Sequence, residues 1–137
     1  MKKTLGLGIL AGVVMLILGF AVMYLFGAIF PSTAAEYENL NIFRAMDDPL
    51  MSIFYVYPFI LGIVLAFVWN KSKSLFKGTT GKRAVNFGLT YWLVASLPGM
   101  VITYASFQLS FLLVFTWLML GLLYGIIAGL VFAKYNK

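Results

Sequence analysis

A chain of 137 residues with 63% hydrophobic and 10% charged residues lies far from the roughly 25% charged content of soluble domains, which excludes water as its main solvent. Ten Lys and Arg against four Asp and Glu give a formal net charge of +6, a balance suited to an anionic membrane surface. With no cysteine and no histidine, disulfides, thiolate metal sites, redox exchange, lipoprotein acylation, the commonest zinc and haem ligand and the usual pH switch are all excluded.

In chain order, Met1-Lys2-Lys3 precedes an apolar run over residues 5–30. Small residues in "PSTAA" after it resemble a signal cleavage site, but the run far exceeds the roughly 7–15 residues of a signal core, so an uncleaved first span is expected. The loop at 31–49 holds all four acids, Glu36, Glu38, Asp47 and Asp48. Thr33 and Glu36 have capping-box spacing, and Tyr37, Leu40, Phe43 and Met46 recur every three residues, which predicts a short helix lying on the membrane surface. Asp48-Pro49 reads as cap and first-turn proline of a second span over 50–69. A basic loop at 70–83 follows, and then 50 uncharged residues between Arg83 and Lys134. That is enough for two spans, 84–104 and 109–133, turning within "YASFQLS". The expected fold class is therefore all-α: a single polytopic membrane domain over 1–137 with four transmembrane helices, since open sheets leave backbone groups unpaired in lipid.

Nine of the ten cations fall at the termini or in the 70–83 loop, against Arg44 alone in the 31–49 loop. The positive-inside rule then predicts both termini in the cytoplasm and, for a prokaryotic cell, residence in the inner membrane. Lys71, Lys73, Lys77, Lys82 and Arg83 are expected to meet anionic headgroups, each contributing about 1 kcal/mol, with Leu75 and Phe76 dipping into the interface. Trp69, Tyr135 and Phe30 suit an interfacial aromatic belt.

Comparison of the two halves suggests a tandem repeat of two helical hairpins. An offset of 80 residues aligns Lys3, Gly8, Gly19 and Tyr24 with Arg83, Gly88, Gly99 and Tyr104. An offset of 63 aligns "GIVLAFVWNK" from Gly62 with "GIIAGLVFAK" from Gly125. Duplication and chance similarity among glycine-rich helices stand level on this ground alone. A true repeat would be parallel, with a pseudo-twofold axis along the membrane normal and a cavity, pore or packing seam on it.

Each helical glycine costs about 1 kcal/mol relative to alanine in water, so "GLLYGIIAG" calls for a reason. In lipid, helices associate through close packing, and small residues four apart permit it. Gly121, Gly125 and Gly129 form one flat stripe, Gly8 and Gly12 a second, Gly62 and Ala66 a third. They are expected to pack within the chain, with a homo-oligomer interface as the other use; Leu122 and Leu123 read as lipid-facing. Pro58 and the Pro98-Gly99 pair mark expected bends in the second and third spans.

No Asp, Glu, Lys, Arg or His lies in the middle of any span, which argues against proton coupling, haem electron transfer and retinal chemistry. Small multidrug transporters share the size but place a coupling acid in their first span, which this chain lacks. "GTTGKR" lacks the glycine, Ser/Thr and strand of a phosphate loop. The outer acids are read as caps and solvated charges rather than a metal site. No cofactor and no nucleic-acid partner are expected.

"GKRAVNFGLTYWLVASLPG" and the glycine-striped last span resemble the second half of small four-span prokaryotic membrane proteins that carry no assigned activity. The resemblance implies this architecture and no reaction. The leading expectation is a non-enzymatic structural, accessory or interaction component of the membrane, its partners being lipids and a membrane protein or a second copy. The alternative is a facilitative carrier or channel for a small neutral or lipid-like solute. A weaker third is an enzyme using the outer acids. Thr90, Ser96, Thr103 and Thr116 facing one another would favour the carrier, and a dry, filled centre the accessory component.

Overall fold

The computed structural model describes residues 1–136, which are helical with no strand among them. Six α-helices follow in order: α1 (Lys2–Ile29), α2 (Pro31–Glu36), α3 (Ser52–Ser72), α4 (Thr80–Tyr91), α5 (Leu97–Ser106) and α6 (Phe111–Tyr135). Short 3-10 turns, Pro49–Met51 and Lys73–Leu75, extend α3 at its ends, and a π-helical turn, Trp92–Ser96, joins α4 to α5. Four helical stretches are long and apolar enough to cross a membrane: Lys2–Ile29, Pro49–Leu75, Thr80–Ser106 and Phe111–Tyr135. The protein is a multi-pass membrane helical bundle.

Side-chain caps set where the later spans begin. Asp48 accepts from the Leu50 N–H at 2.8 Å, Thr79 from the Lys82 N–H at 3.3 Å and Ser110 from the Leu113 N–H at 3.2 Å. Each satisfies a backbone donor that the first turn of a helix leaves open. Gly78, with φ +110, supplies the left-handed residue that turns the chain into α4.

The two prolines behave differently. α3 runs unbroken through Pro58. Pro98 instead follows the π-turn: a proline has no N–H to give and its ring collides with the carbonyl four residues back, and a widened preceding turn relieves both. The surface helix expected from the Tyr37 to Met46 spacing is absent. Helix α2 stops at Glu36, residues 37–48 form turns, and Thr33 lies inside α2 with its hydroxyl donating to the Phe30 carbonyl. Tertiary contact overrides the three-residue pattern: Tyr37 and Phe43 pack inward with Leu109, Leu113 and Trp117, while Leu40 and Met46 stay exposed.

Two hairpins make the bundle. α3 packs along α1, and α6 packs along α4; the hairpins are joined by α1 crossing α6. Ala11, Met15, Tyr124 and Ala128 fill that crossing, so the position expected for a central pore is occupied by side chains. Contacts within the hairpins follow the sequence offsets. A Cβ on Gly8 would lie 2.6 Å from the Ile63 Cα, and one on Gly88 would lie 2.6 Å from the Ile126 backbone nitrogen. Gly62 abuts the Gly8 carbonyl oxygen, and a Cβ on Gly125 would meet that of Gly88 at 3.0 Å. Residues paired by the two offsets thus make equivalent contacts.

One end of the bundle gathers Thr4, the 70–83 loop and Asn136. The Trp69 indole donates to the Asn136 carbonyl (2.9 Å), Asn136 to the Asn70 side chain (2.6 Å) and Asn70 to the Thr4 hydroxyl (2.8 Å). This is the basic end; the loop carrying the acids lies at the other.

Candidate functional site

Strict twofold symmetry would repeat the α1–α6 crossing as a contact between α3 and α4. That seam is only thinly made, the two helices meeting through side chains and not along their backbones. Between them a groove of about 1030 Å³ runs the height of the bundle, floored by α1 and α6 and walled by α3 on one side and α4, the π-turn and α5 on the other. The volume is at the upper end for small-molecule sites.

Its two ends are built differently. At the basic end Trp69 on α3 meets Phe87 on α4 edge-on, with ring centroids 5.2 Å apart, and Phe76 stacks on Trp69 at 5.9 Å. Arg83 lies over the same indole, 5.0 Å from its centroid, and donates from Nε to the Phe76 carbonyl at 2.9 Å. Trp69 is therefore fully buried rather than part of a lipid-facing belt, and Phe76 turns inward while Leu75 projects outward. A buried indole whose N–H has a partner serves as an anchor for two helices and a loop.

At the acidic end Tyr37, Phe43, Arg44 and Met46 of the 37–48 loop border the groove. The loop is fastened to the second hairpin: the Trp117 indole donates to the Tyr37 hydroxyl at 2.6 Å, and the Ser110 N–H donates to Glu36 at 2.9 Å. Burial pushes the Tyr37 phenol above its usual pKa, which keeps it protonated at neutral pH. Arg44 is held by Asp48 at 2.9 Å. The Leu50 N–H, and after it Arg44, hold the Asp48 carboxyl below the usual carboxylate range. Asp48 is thus a cap and Glu36 a tie, and among the described residues no group of three or more His, Cys, Asp or Glu could hold a metal ion.

Polar groups within the spans are mostly spent on their own helices. Thr90 donates to Asn86, Thr103 to Gly99 and Thr116 to Leu112, and of the three Thr90 borders the groove while Thr103 and Thr116 do not. Four hydroxyls border the groove without such a bond: Tyr57 on α3, Tyr91 and Ser96 on the opposite wall, and Tyr124 on the floor. The π-turn accounts for two of them. Residues five apart stand about 140° around an α-helix, whereas closure from i to i+5 brings them to one face, and Tyr91 and Ser96 accordingly both line the groove.

The small residues singled out in the sequence sit where helices approach. Gly8 and Gly12 face α3, where a Cβ on Gly12 would lie 2.8 Å from the Phe59 Cα. Gly62 lies against α1, and Ala66 is buried beside it in the core. On α6, Cβ atoms on Gly121, Gly125 and Gly129 would lie 2.6 Å from the Ser96 hydroxyl, 2.8 Å from the Tyr91 ring and 2.7 Å from the Ala84 carbonyl. Gly99 has open space around it. Leu123, expected toward lipid, packs partly on the core. Of the loop cations, Lys73 donates to Asn136 at 3.1 Å, Arg83 is committed to Trp69 and Phe76, and Lys71, Lys77 and Lys82 are exposed.

The π-turn and the groove were beyond the reach of sequence reading; Pro98 between an aromatic-rich turn and Gly99 was the one signal near them. Set beside protein-family models, curated proteins and solved structures, the chain finds no match.

Proposed function

We propose that the chain is a non-enzymatic accessory protein of the membrane that holds an elongated, uncharged, lipid-like molecule in the groove between α3 and α4–α5. The observation that carries this reading is the thin α3–α4 seam, which leaves an apolar slot of about 1030 Å³ beside a filled centre. Apolar side chains line most of the slot along its length, which suits a hydrocarbon chain. Transfer of a polar solute is disfavoured, because the wall hydroxyls form no continuous path and aromatic rings join the walls at the basic end. Nine of ten cations at the termini and the 70–83 loop support a cytoplasmic basic end in a prokaryotic inner membrane, with Lys71, Lys77 and Lys82 toward anionic headgroups.

The test is purification from native membranes in mild detergent, followed by solvent extraction and mass spectrometry of what is released. A near-stoichiometric apolar molecule is expected, and Ala95→Trp, which fills the groove from an exposed wall position, should expel it. A preparation that releases the same lipids at the same level with or without Ala95→Trp overturns the reading. So does a stably retained protein partner that is lost with Ala95→Trp.

A further inference from the structure

The groove is not uniformly apolar. Midway along it, hydroxyls converge from three sides. Tyr57, Tyr91, Tyr124 and Ser96 all line it; Tyr57 and Tyr91 hydrogen-bond to each other from opposite walls, and the Tyr91 ring lies against Gly125, one residue from Tyr124. Ser96 lies one π-turn beyond Tyr91 on the same wall, against Gly121. Tyr124 is 8% exposed and Ser96 9%. Neither hydroxyl is hydrogen-bonded among the described residues, and since no fully enclosed side-chain N or O atom there lacks a partner, both open onto the groove. An unpartnered donor in a low-dielectric setting costs more than an unfilled lone pair. Glycine makes the arrangement feasible: Gly19 admits the Tyr124 hydroxyl against α1, and Gly121 admits Ser96 against α6.

Each of the four groups can donate, and the Tyr57–Tyr91 bond uses one of the four donors. No carboxylate, lysine or histidine borders the groove, and its one cation, Arg44, is at the far rim and paired with Asp48. The complement is an acceptor without charge. Resting on the proposed function above, we propose that Tyr57, Tyr91, Tyr124 and Ser96 recognise an uncharged carbonyl carried on the apolar molecule in the groove. A carbonyl oxygen offers two lone pairs and no donor, which matches a cluster that has donors to spare. The same chemistry has two sources: the ring of a long-chain quinone, or the ester or ketone of a neutral lipid. Flanking tyrosine rings suit a planar quinone, and the length of the slot suits either.

The experiment uses the full chain in lipid nanodiscs and three tritiated probes of matched chain length: a decyl-substituted benzoquinone, a long-chain methyl ketone and a plain alkane. Retention is measured against empty nanodiscs. The wild type should retain the carbonyl probes at least tenfold better than the alkane. Joint replacement of Tyr57, Tyr91 and Tyr124 by Phe should remove that preference and leave alkane retention unchanged. Ser96→Ala alone, which removes one donor and leaves the Cβ against Gly121 in place, should reduce the preference severalfold without lowering thermal stability in detergent. Quinone retained and ketone not assigns the ring; both retained assigns the carbonyl generally; either result supports the inference. Equal retention of all three probes, or a preference that survives in the Phe variant, overturns the recognition cluster and leaves the groove reading standing. No retention of any probe overturns both.

Discussion

The first hairpin, α1 with α3, and the second, α4–α5 with α6, are built on the same contacts and diverge where the groove lies. Gly8 and Gly62 do in one what Gly88 and Gly125 do in the other, so the two sequence offsets pair residues with like contacts. The divergence is informative in turn. Gly12 lets Phe59 sit directly on α1. At the aligned position Trp92 forbids such contact, donates its indole N–H to the Leu118 carbonyl at 2.9 Å and opens the π-turn. At the basic end Trp69 of the first hairpin aligns with Phe132 of the second, and the indole of the former ties the 70–83 loop and the C-terminal segment together. Interfaces within the hairpins are held by backbone proximity, which tolerates little change; the walls facing the groove are held by side chains and differ between the two hairpins.

The strongest way to break this equivalence is to crowd the two seams. Gly62→Leu and Gly125→Leu should each cost about 3 kcal/mol or more, since the obstruction is backbone, while Gly6→Leu, at a position with open space, should leave detergent melting unchanged. If one seam tolerated leucine and the other did not, the two hairpins would not be mechanical equivalents. Trp69→Phe makes the first hairpin resemble the second; losing the bond to Asn136 and much of the Arg83 contact should cost about 1–3 kcal/mol, read as a lowered melting temperature. A third pair concerns aligned glycines with opposite surroundings. Gly99→Ala should stabilise by up to about 1 kcal/mol, whereas Gly19→Ala, which must displace the Tyr124 hydroxyl, should destabilise by a similar amount.

The smallest expected difference is a pH effect at the caps. Asp48 caps the second span and Ser110 the fourth, and only the former titrates. Because the folded-state pKa of Asp48 is depressed, its contribution is complete above the unfolded value of about 3.9 and fades as pH falls through the lower folded value. Asp48→Asn should remove that slight acid sensitivity, while Ser110→Ala should lower stability equally at all pH values. The paired melting curves between neutral and strongly acid pH check both.

The helix count, the placement of acids and bases at opposite ends and the glycine positions could be read from residues because each depends on local facts: run length, charge and side-chain size. What could not be read depends on several elements at once. Tyr37 and Phe43 left the expected surface helix because Leu113 and Trp117 provide a pocket some 70 residues away in sequence. Trp69 looked interfacial until Phe76, Phe87 and Arg83 closed around it. The four groove hydroxyls lie on three different helices and are unremarkable in each; Ser96 joins Tyr91 only because Pro98 unsettles the turn before it. A void is the hardest feature to foresee, since it is defined by a backbone contact that two helices fail to make.

That missing contact has a mechanical consequence. The halves are each stiff along their glycine seams and are joined chiefly where α1 crosses α6, in the manner of tongs about a pivot. Widening the jaws strains neither arm. Resistance comes from the clasp of rings at one tip, from the Tyr57–Tyr91 bond between the walls and, at the other tip, from the two bonds that fasten the loop to α6 and the turn before it.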